Sequence, residues 1–150
     1  KNDLFFVFSV QEEVGLRGAK TAAYGVNPDV GIALDVTSHG DTPKAKKYAI
    51  GLDKGAAIKV KDNSIICHPK VREQLVKIAK ENNIPYQMEV LEFGGTDSGA
   101  IHLTKEGVPS GVISIPTRYV HSTIEMASKK DITNCKELLI RFLNSNLELF

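Results

Sequence analysis

The sequence has little of several features that assign a protein to a class at once. Its 150 residues include no Trp and only two Cys, and the formal net charge is +1. So small a charge gives no electrostatic reason to expect nucleic acid or anionic lipid as a partner. No apolar run approaches the roughly 18 residues that span a bilayer. Neither a nucleic-acid partner nor a membrane partner is therefore expected.

The low cysteine content also bears on the cellular compartment in which the protein is expected. Cys67 and Cys135 are too few for a disulfide framework, and no Cys-x-x-Cys spacing occurs. We expect reduced, structural thiols in a cytoplasmic protein. The chain begins at Lys1, without an initiator Met, inside a segment that resembles a strand, which indicates a part of a longer protein.

What the sequence does contain is typical of one folded domain over residues 1–150. Hydrophobic residues make up 42% and charged residues 25%, as in soluble globular proteins. Apolar stretches that suit strands alternate with stretches of helical periodicity, so we expect an α/β fold with helices on both faces of a sheet. Strands are predicted at 3–10, 30–36, 56–61, 86–93 and 110–115, and helices at 17–24, from 69, at 96–105 and from about 133. The first strand is expected to be buried on both faces.

Ionisable residues gather where the predicted strands end. Glu12 and Glu13 follow the first strand, Asp35 ends the second, and His121 follows the last. A Gly-Gly-Thr-Asp run at 94–97 ends a further strand. Because ligands of open α/β sheets bind beyond the carboxyl ends of the strands, these residues are candidates for a functional site.

The residue types at these strand ends suit metal chemistry. Carboxylate oxygens with an imidazole nitrogen can bind zinc, cobalt or manganese. Of two adjacent glutamates, one can bind the metal while the other removes a proton from a water molecule. Spacing alone does not say which of Glu12 and Glu13 does which.

Each of these residues has an ordinary structural explanation when taken alone. The Glu12–Glu13 pair could precede a helix N-terminus, Asp35 could be a turn or cap residue, and His121 could be a hydrogen-bonded surface histidine. Only their common position at strand ends favours a site. Serine catalysis at Ser98 lacks the Gly-x-Ser-x-Gly elbow.

Four motifs occur in an order that resembles one known family. They are QEEVGLRGA (11–19), ALDVT (33–37), GGTDSGAIHL (94–103) and IPTRYVHSTIEM (115–126). Together they look like the motif set of the tetrahedral, TET-type aminopeptidases, which include glutamyl, leucyl and lysyl aminopeptidases and are often labelled endoglucanases. The resemblance implies a three-layer α/β/α sheet of the zinc-exopeptidase type, with its N-terminal part missing here, and hydrolysis of the N-terminal residue of peptides.

The resemblance also implies a role for each candidate residue. Glu12 matches the general base, Glu13 a ligand of one metal, Asp35 a ligand of the other, and His121 the histidine that shares a metal with Glu13. A substrate pocket is implied at Gly94, Gly95, Thr96, Asp97 and Arg118. The complete enzyme would hold two divalent ions, zinc or cobalt, whereas one or none is expected in this chain.

The chain departs from the family pattern in what it lacks. A histidine of a His-x-Asp motif and an aspartate that bridges both metals precede the Glu-Glu pair in family members, in a stretch of sequence that is absent here. A small β domain, through which family members assemble into a dodecamer, would also lie upstream. Two alternatives therefore stay open, a glycoside hydrolase and an inactive fragment or interaction module.

Overall fold

The computed structural model describes residues 2–147 of the chain. Four helices and five strands are found in this part. In chain order they are α1 (Arg17–Val26), β1 (Gly31–Ser38), β2 (Ala56–Lys61), α2 (Pro69–Glu81), β3 (Tyr86–Val90), α3 (Ser98–Ile101), β4 (Ser110–Arg118), β5 (Met126–Ala127) and α4 (Lys129–Leu143).

The strands form one mixed sheet in the order β1-β4-β2-β3, with β5 added beside β4. β1 runs parallel to β4 and β2 parallel to β3, whereas β2 meets β4 in a short antiparallel contact. Helices α2 and α4 pack on one face, and α3, with α1 against it, packs on the other. The predicted α/β sheet with helices on both faces is confirmed.

The α2/α4 face holds most of the apolar core. Val71, Leu75, Ile78 and Ala79 recur at helical spacing along α2 and are all buried, as their periodicity predicts. Pro69 begins this helix at a position that needs no backbone N–H donor. The remaining buried members of the cluster are Ala56, Ile58, Ile84, Ile113, Cys135, Leu138 and Phe142.

The opposite face is smaller and more polar. Its apolar cluster consists of Ala33, Ile65, Cys67 and Val112. The Ser98 hydroxyl at the start of α3 accepts a hydrogen bond from the Ala33 N–H (3.2 Å) and donates one to a carbonyl of β4 (2.7 Å). The buried Ser98 side chain therefore links the short helix α3 to strands β1 and β4 by hydrogen bonds.

The N-terminal segment differs most from its prediction. Residues 3–10 form no strand, and Phe6 and Phe8 are 71% and 95% exposed. Within residues 2–147 no strand pairs with this segment, so its apolar side chains have nothing to pack against. The prediction of a strand buried on both faces is wrong for this chain.

Several boundaries also differ. β3 ends at Val90 rather than Phe93, and its buried position is Glu89, while Met88 and Val90 are exposed. The helix predicted over 96–105 is shorter than expected and consists of α3 alone (Ser98–Ile101). The last helix begins earlier than predicted, because the Ser128 hydroxyl caps it by accepting from the Lys130 N–H. Among the described residues no helix is long and apolar enough to cross a membrane.

Candidate active site

Three carboxylates from separate parts of the chain lie near one another. Burial raises the pKa of Glu12. The negative charges of Asp35, Glu13 and Asp97 raise this pKa further, whereas His121 lowers it. Burial likewise raises the pKa of Asp35, and Asp97 and Glu13 add to it. Mutual repulsion of this kind requires that the groups share one region. The predicted residues Glu12, Asp35 and Asp97 therefore lie within electrostatic reach of one another.

Asp35 is held on β1, on the face that carries α3. It is half-buried and lies three residues before the end of the strand, not at the end as predicted. Its Oδ1 accepts a hydrogen bond from the Val36 N–H at 2.7 Å. That bond and the positive charge of Lys59 oppose the rise in its pKa. β1, the strand at the edge of the sheet beside β4, thus positions this carboxylate.

Glu12 and Glu13 lie on a tight turn ahead of α1. The Glu12 carbonyl accepts hydrogen bonds from the N–H groups of Gly15 (3.0 Å) and Leu16 (2.9 Å). Leu16 has a left-handed backbone. The first turn of α1 contains no acidic residue, so the pair does not serve as an acidic first turn of that helix. The turn leaves Glu12 half-buried and Glu13 exposed.

His121 contacts Glu13 directly. Its Nε2 lies 3.1 Å from Glu13 Oε2, and both side chains are 70% exposed. The backbone of His121 is left-handed, with φ at 64°, and its N–H donates to Glu125 Oε1 at 2.7 Å. The resemblance assigns Glu13 and His121 to one metal, and in the structure their side chains are in contact.

The loop at 94–97 brings a partly buried carboxylate to this group. The Ser9 hydroxyl donates a hydrogen bond to Asp97 Oδ2, whereas Asp97 Oδ1 is buried and has no hydrogen-bond partner. A Cβ on Gly95 would approach Ser64 Oγ to 2.9 Å, so a larger residue at this loop position would displace the Ser64 side chain. Because buried polar oxygens are normally satisfied, Asp97 Oδ1 is available for an amine or a cation.

The donor set fits a divalent cation only in part. Carboxylates that repel one another, an imidazole–carboxylate pair and a buried unpaired oxygen are suited to such an ion. Within residues 2–147, however, no three His, Cys, Asp or Glu side chains lie close enough together to hold one. Glu13 and His121 form the best-defined pair, and Asp35 stands nearby without joining them.

Arg118 lies on the wall of a separate feature, a cleft of about 680 Å³ beside the loop between β1 and β2. Its guanidinium donates two hydrogen bonds to Asp41, one of them from Nε to Oδ1 at 2.6 Å. These bonds hold the pKa of Asp41 well below its usual range. Asp41 also lies 3.0 Å from His39 Nε2. Arg118 is therefore already paired with Asp41, and the residues that line its cleft do not include the loop at 94–97 with which it was expected to form one pocket.

Sequence reasoning missed two groups. The first is His39 with Asp41 and Arg118: Asp41 follows His39 by two positions, but Arg118 lies 77 positions beyond Asp41 and no spacing links it to them. The buried charges Lys59, Asp62 and Glu89 were also missed. The signal that could have found them is a charged residue at the centre of an otherwise apolar strand, as in AAIKVK.

Comparison with known proteins identifies the family. The profile of the M42 glutamyl aminopeptidases matches residues 1–138 of the chain. The chain belongs to this family. A protein of Acetivibrio thermocellus, provisionally named an aminopeptidase, is 60% identical over 139 residues, which cover 93% of this chain and 42% of that protein.

Solved structures of M42 relatives share the fold. The aminopeptidase APDkam598 of Desulfurococcus kamchatkensis matches with a TM-score of 0.87 and 48% identity, over 90% of this chain and 39% of that one. The TET1 peptidase of Pyrococcus horikoshii, described as assembling into a tetrahedron or a large octahedral shell, matches with a TM-score of 0.70 and 32% identity, over 93% of this chain and 40% of that one. The chain thus spans about two fifths of the length of these relatives.

Proposed function

We propose that residues 1–150 are the C-terminal portion of the catalytic domain of a metal-dependent aminopeptidase that removes the N-terminal residue of peptides. The observation that carries the proposal is the contact of Glu13 with His121, with Glu12, Asp35 and Asp97 within electrostatic reach of one another. Membership of the M42 family supports it. The complete enzyme would be cytoplasmic and a homo-oligomer, a dodecamer by analogy with the TET-type relatives.

Each residue of the site has a proposed task. Glu13 and His121 would hold one zinc or cobalt ion and Asp35 a second, and these ions would lower the pKa of a water molecule and polarise the scissile carbonyl. Glu12 accepts the proton of the attacking water and delivers it to the departing amine. Its raised pKa suits this task, because a stronger base takes up the proton more readily.

The acidic surroundings also suit the substrate. A peptide presents a positively charged α-amino group, and the carboxylates near Asp97 attract such a group. The buried, unpaired Asp97 Oδ1 offers it a hydrogen-bond acceptor. Gly94, Gly95 and Thr96 shape the loop beside it, and Arg118 with the neighbouring cleft would contact the rest of the peptide.

The general-base role is tested by Glu12→Gln in the enzyme that contains this chain. We expect hydrolysis of an amino-acyl anilide to slow by about 10²- to 10⁴-fold, with metal content unchanged. Glu73→Gln on the exposed side of α2 is the matched control, since it removes the same charge far from the proposed chemistry. Equal turnover in the two variants would contradict the role of Glu12.

The metal assignment is tested on the 150-residue chain by calorimetric titration with zinc or cobalt. His121→Ala is expected to remove or strongly weaken the site, because it leaves Glu13 without its imidazole partner. Unchanged stoichiometry and affinity in His121→Ala would show that this pair is not the ligand pair.

A further inference from the structure

A fully buried lysine lies behind the proposed site with two carboxylates around it. Lys59 Nζ is 3.2 Å from Asp62 Oδ2 and 3.2 Å from Glu89 Oε1, and the three side chains are at most 2% exposed. Lys59 and Glu89 are direct partners in the register of β2 and β3. Such buried ion groups add little to stability compared with apolar residues of similar size, so their presence calls for another explanation.

The first carboxylate connects Lys59 to the strand of Asp35. Glu89 Oε1 also accepts a hydrogen bond from Thr37 Oγ1 at 2.5 Å. Thr37 lies two residues after Asp35 on β1, and alternate residues of a strand point to the same face. The chain of contacts from Lys59 through Glu89 therefore ends one step from Asp35.

The second carboxylate connects Lys59 to the loop of Asp97. Asp62 Oδ1 accepts hydrogen bonds from the backbone and hydroxyl of Ser64, at 2.7 and 2.8 Å, and Oδ2 accepts one from Thr96 Oγ1 at 3.4 Å. The Ser64 hydroxyl in turn accepts from the Thr96 N–H at 3.3 Å. Thr96 directly precedes Asp97, so this chain of contacts also ends at the site.

We propose that Lys59 is a positioning residue: through Glu89 and Asp62 it fixes the relative placement of Asp35 on β1 and Asp97 on the 94–97 loop. The inference rests on the proposed function, because the proposed aminopeptidase site gives Asp35 and Asp97 their roles. No other buried cation among the described residues has carboxylate partners that lead to two separate segments of the site. Lys59 itself touches no substrate; its charge acts on Asp35 at a distance, and it positions both carboxylates through its partners.

The test compares Lys59→Met, which keeps an unbranched side chain without the charge, with two controls. Lys61→Met removes an exposed lysine from the same strand, and Leu75→Ala weakens the core on the opposite face. The ¹³C shifts of the Asp35 and Asp97 carboxyl groups are measured by NMR without metal. Cobalt affinity and the visible absorption of bound cobalt are measured separately.

We expect Lys59→Met to move both carboxyl resonances and to weaken cobalt binding by about 10- to 100-fold, with a changed cobalt spectrum. Neither control is expected to do so, although Leu75→Ala loses stability. Carboxyl shifts that stay as in Lys61→Met, or that also change in Leu75→Ala, would overturn the proposal. If the unaltered chain bound no cobalt, the metal assignment would fail in this chain, while the metal-free shifts of variants that keep the Lys59 charge, Thr37→Val and Thr96→Val, would still decide its positioning role.

Two milder variants cover a failure of Lys59→Met to fold. Thr37→Val cuts only the contact to Glu89, and Thr96→Val cuts only the side-chain contact to Asp62. We expect Thr37→Val to move the Asp35 resonance and Thr96→Val to move the Asp97 resonance. Unmoved resonances in both variants would contradict the positioning role.

Discussion

The two faces of the sheet are stabilised by different means. The face covered by α2 and α4 packs apolar side chains such as Leu75 and Phe142, whereas the α3 face buries Lys59, Asp62 and Glu89 beside a small apolar cluster. Apolar packing gains free energy from every buried methylene, while buried charges must recover their desolvation cost from one another. The α2/α4 face therefore stabilises the fold, whereas the α3 face lowers the net stability and positions the carboxylates of the site.

The largest expected effect tests the apolar face. Phe142→Ala is predicted to lower the free energy of unfolding by about 3–5 kcal/mol, because the ring is 1% exposed and its removal leaves a cavity under β2 and β4. Urea unfolding followed by circular dichroism measures this. In the folded fraction the cobalt affinity should be unchanged, and a large loss of affinity would show that the two faces are not independent.

The next effect tests the polar face. Ser98→Ala is predicted to cost about 1–3 kcal/mol, since it leaves the Ala33 N–H without its acceptor inside the protein. Hydrogen exchange of the Ala33 amide should accelerate more than that of amides in α4. Ser122→Ala on an exposed turn is the control, and an equal loss of stability in both variants would contradict the prediction.

A smaller effect of opposite sign is expected at the site. Asp35 has a raised pKa when folded, so its contribution to stability is complete below its ordinary value of 3.8 and is lost as pH rises through the folded value. Asp35→Asn should therefore stabilise the metal-free protein at pH 7 and lose this advantage near pH 3. Thermal unfolding across this pH range measures it, and a destabilised variant at pH 7 would contradict the sign.

The smallest effect concerns the exposed pair at the cleft. Asp41 has a lowered pKa because of Arg118, so the stability it contributes is present above its ordinary value of 3.8 and is lost as pH falls. Asp41→Asn should lower the melting temperature slightly at pH 7, less so in high salt, because exposed ion pairs are weak and screened. A shift that did not depend on salt would point to packing instead.

Local patterns in the sequence predict the apolar face well. The spacing of Val71 and Leu75 and the position of Pro69 define α2, because helix periodicity and the missing proline donor are properties of a few neighbouring residues. The strand at 56–61 follows from composition in the same way. Both are confirmed by the structure.

The polar face could be predicted only in part. Glu12 and Asp35 were expected to share a site as strand-end residues; they do interact electrostatically, although Glu12 follows no strand and Asp35 lies within β1. The pairing of Lys59 with Glu89 could not be foreseen, because it depends on the register of β2 and β3. The segment at 3–10 was predicted from its own apolar residues, yet a strand also needs a partner, and none is found within the described residues.

The pairing of β1 with β4 has a consequence for how the chain folds. Gly31 lies opposite Ser110, 79 positions away, and the residues between them include β2, α2 and β3. Contacts between such distant residues lose much loop entropy before any packing offsets it, and they slow folding. β1 carries Asp35, and the loop before α3 carries Asp97, so these two carboxylates come together only once distant parts of the chain have met.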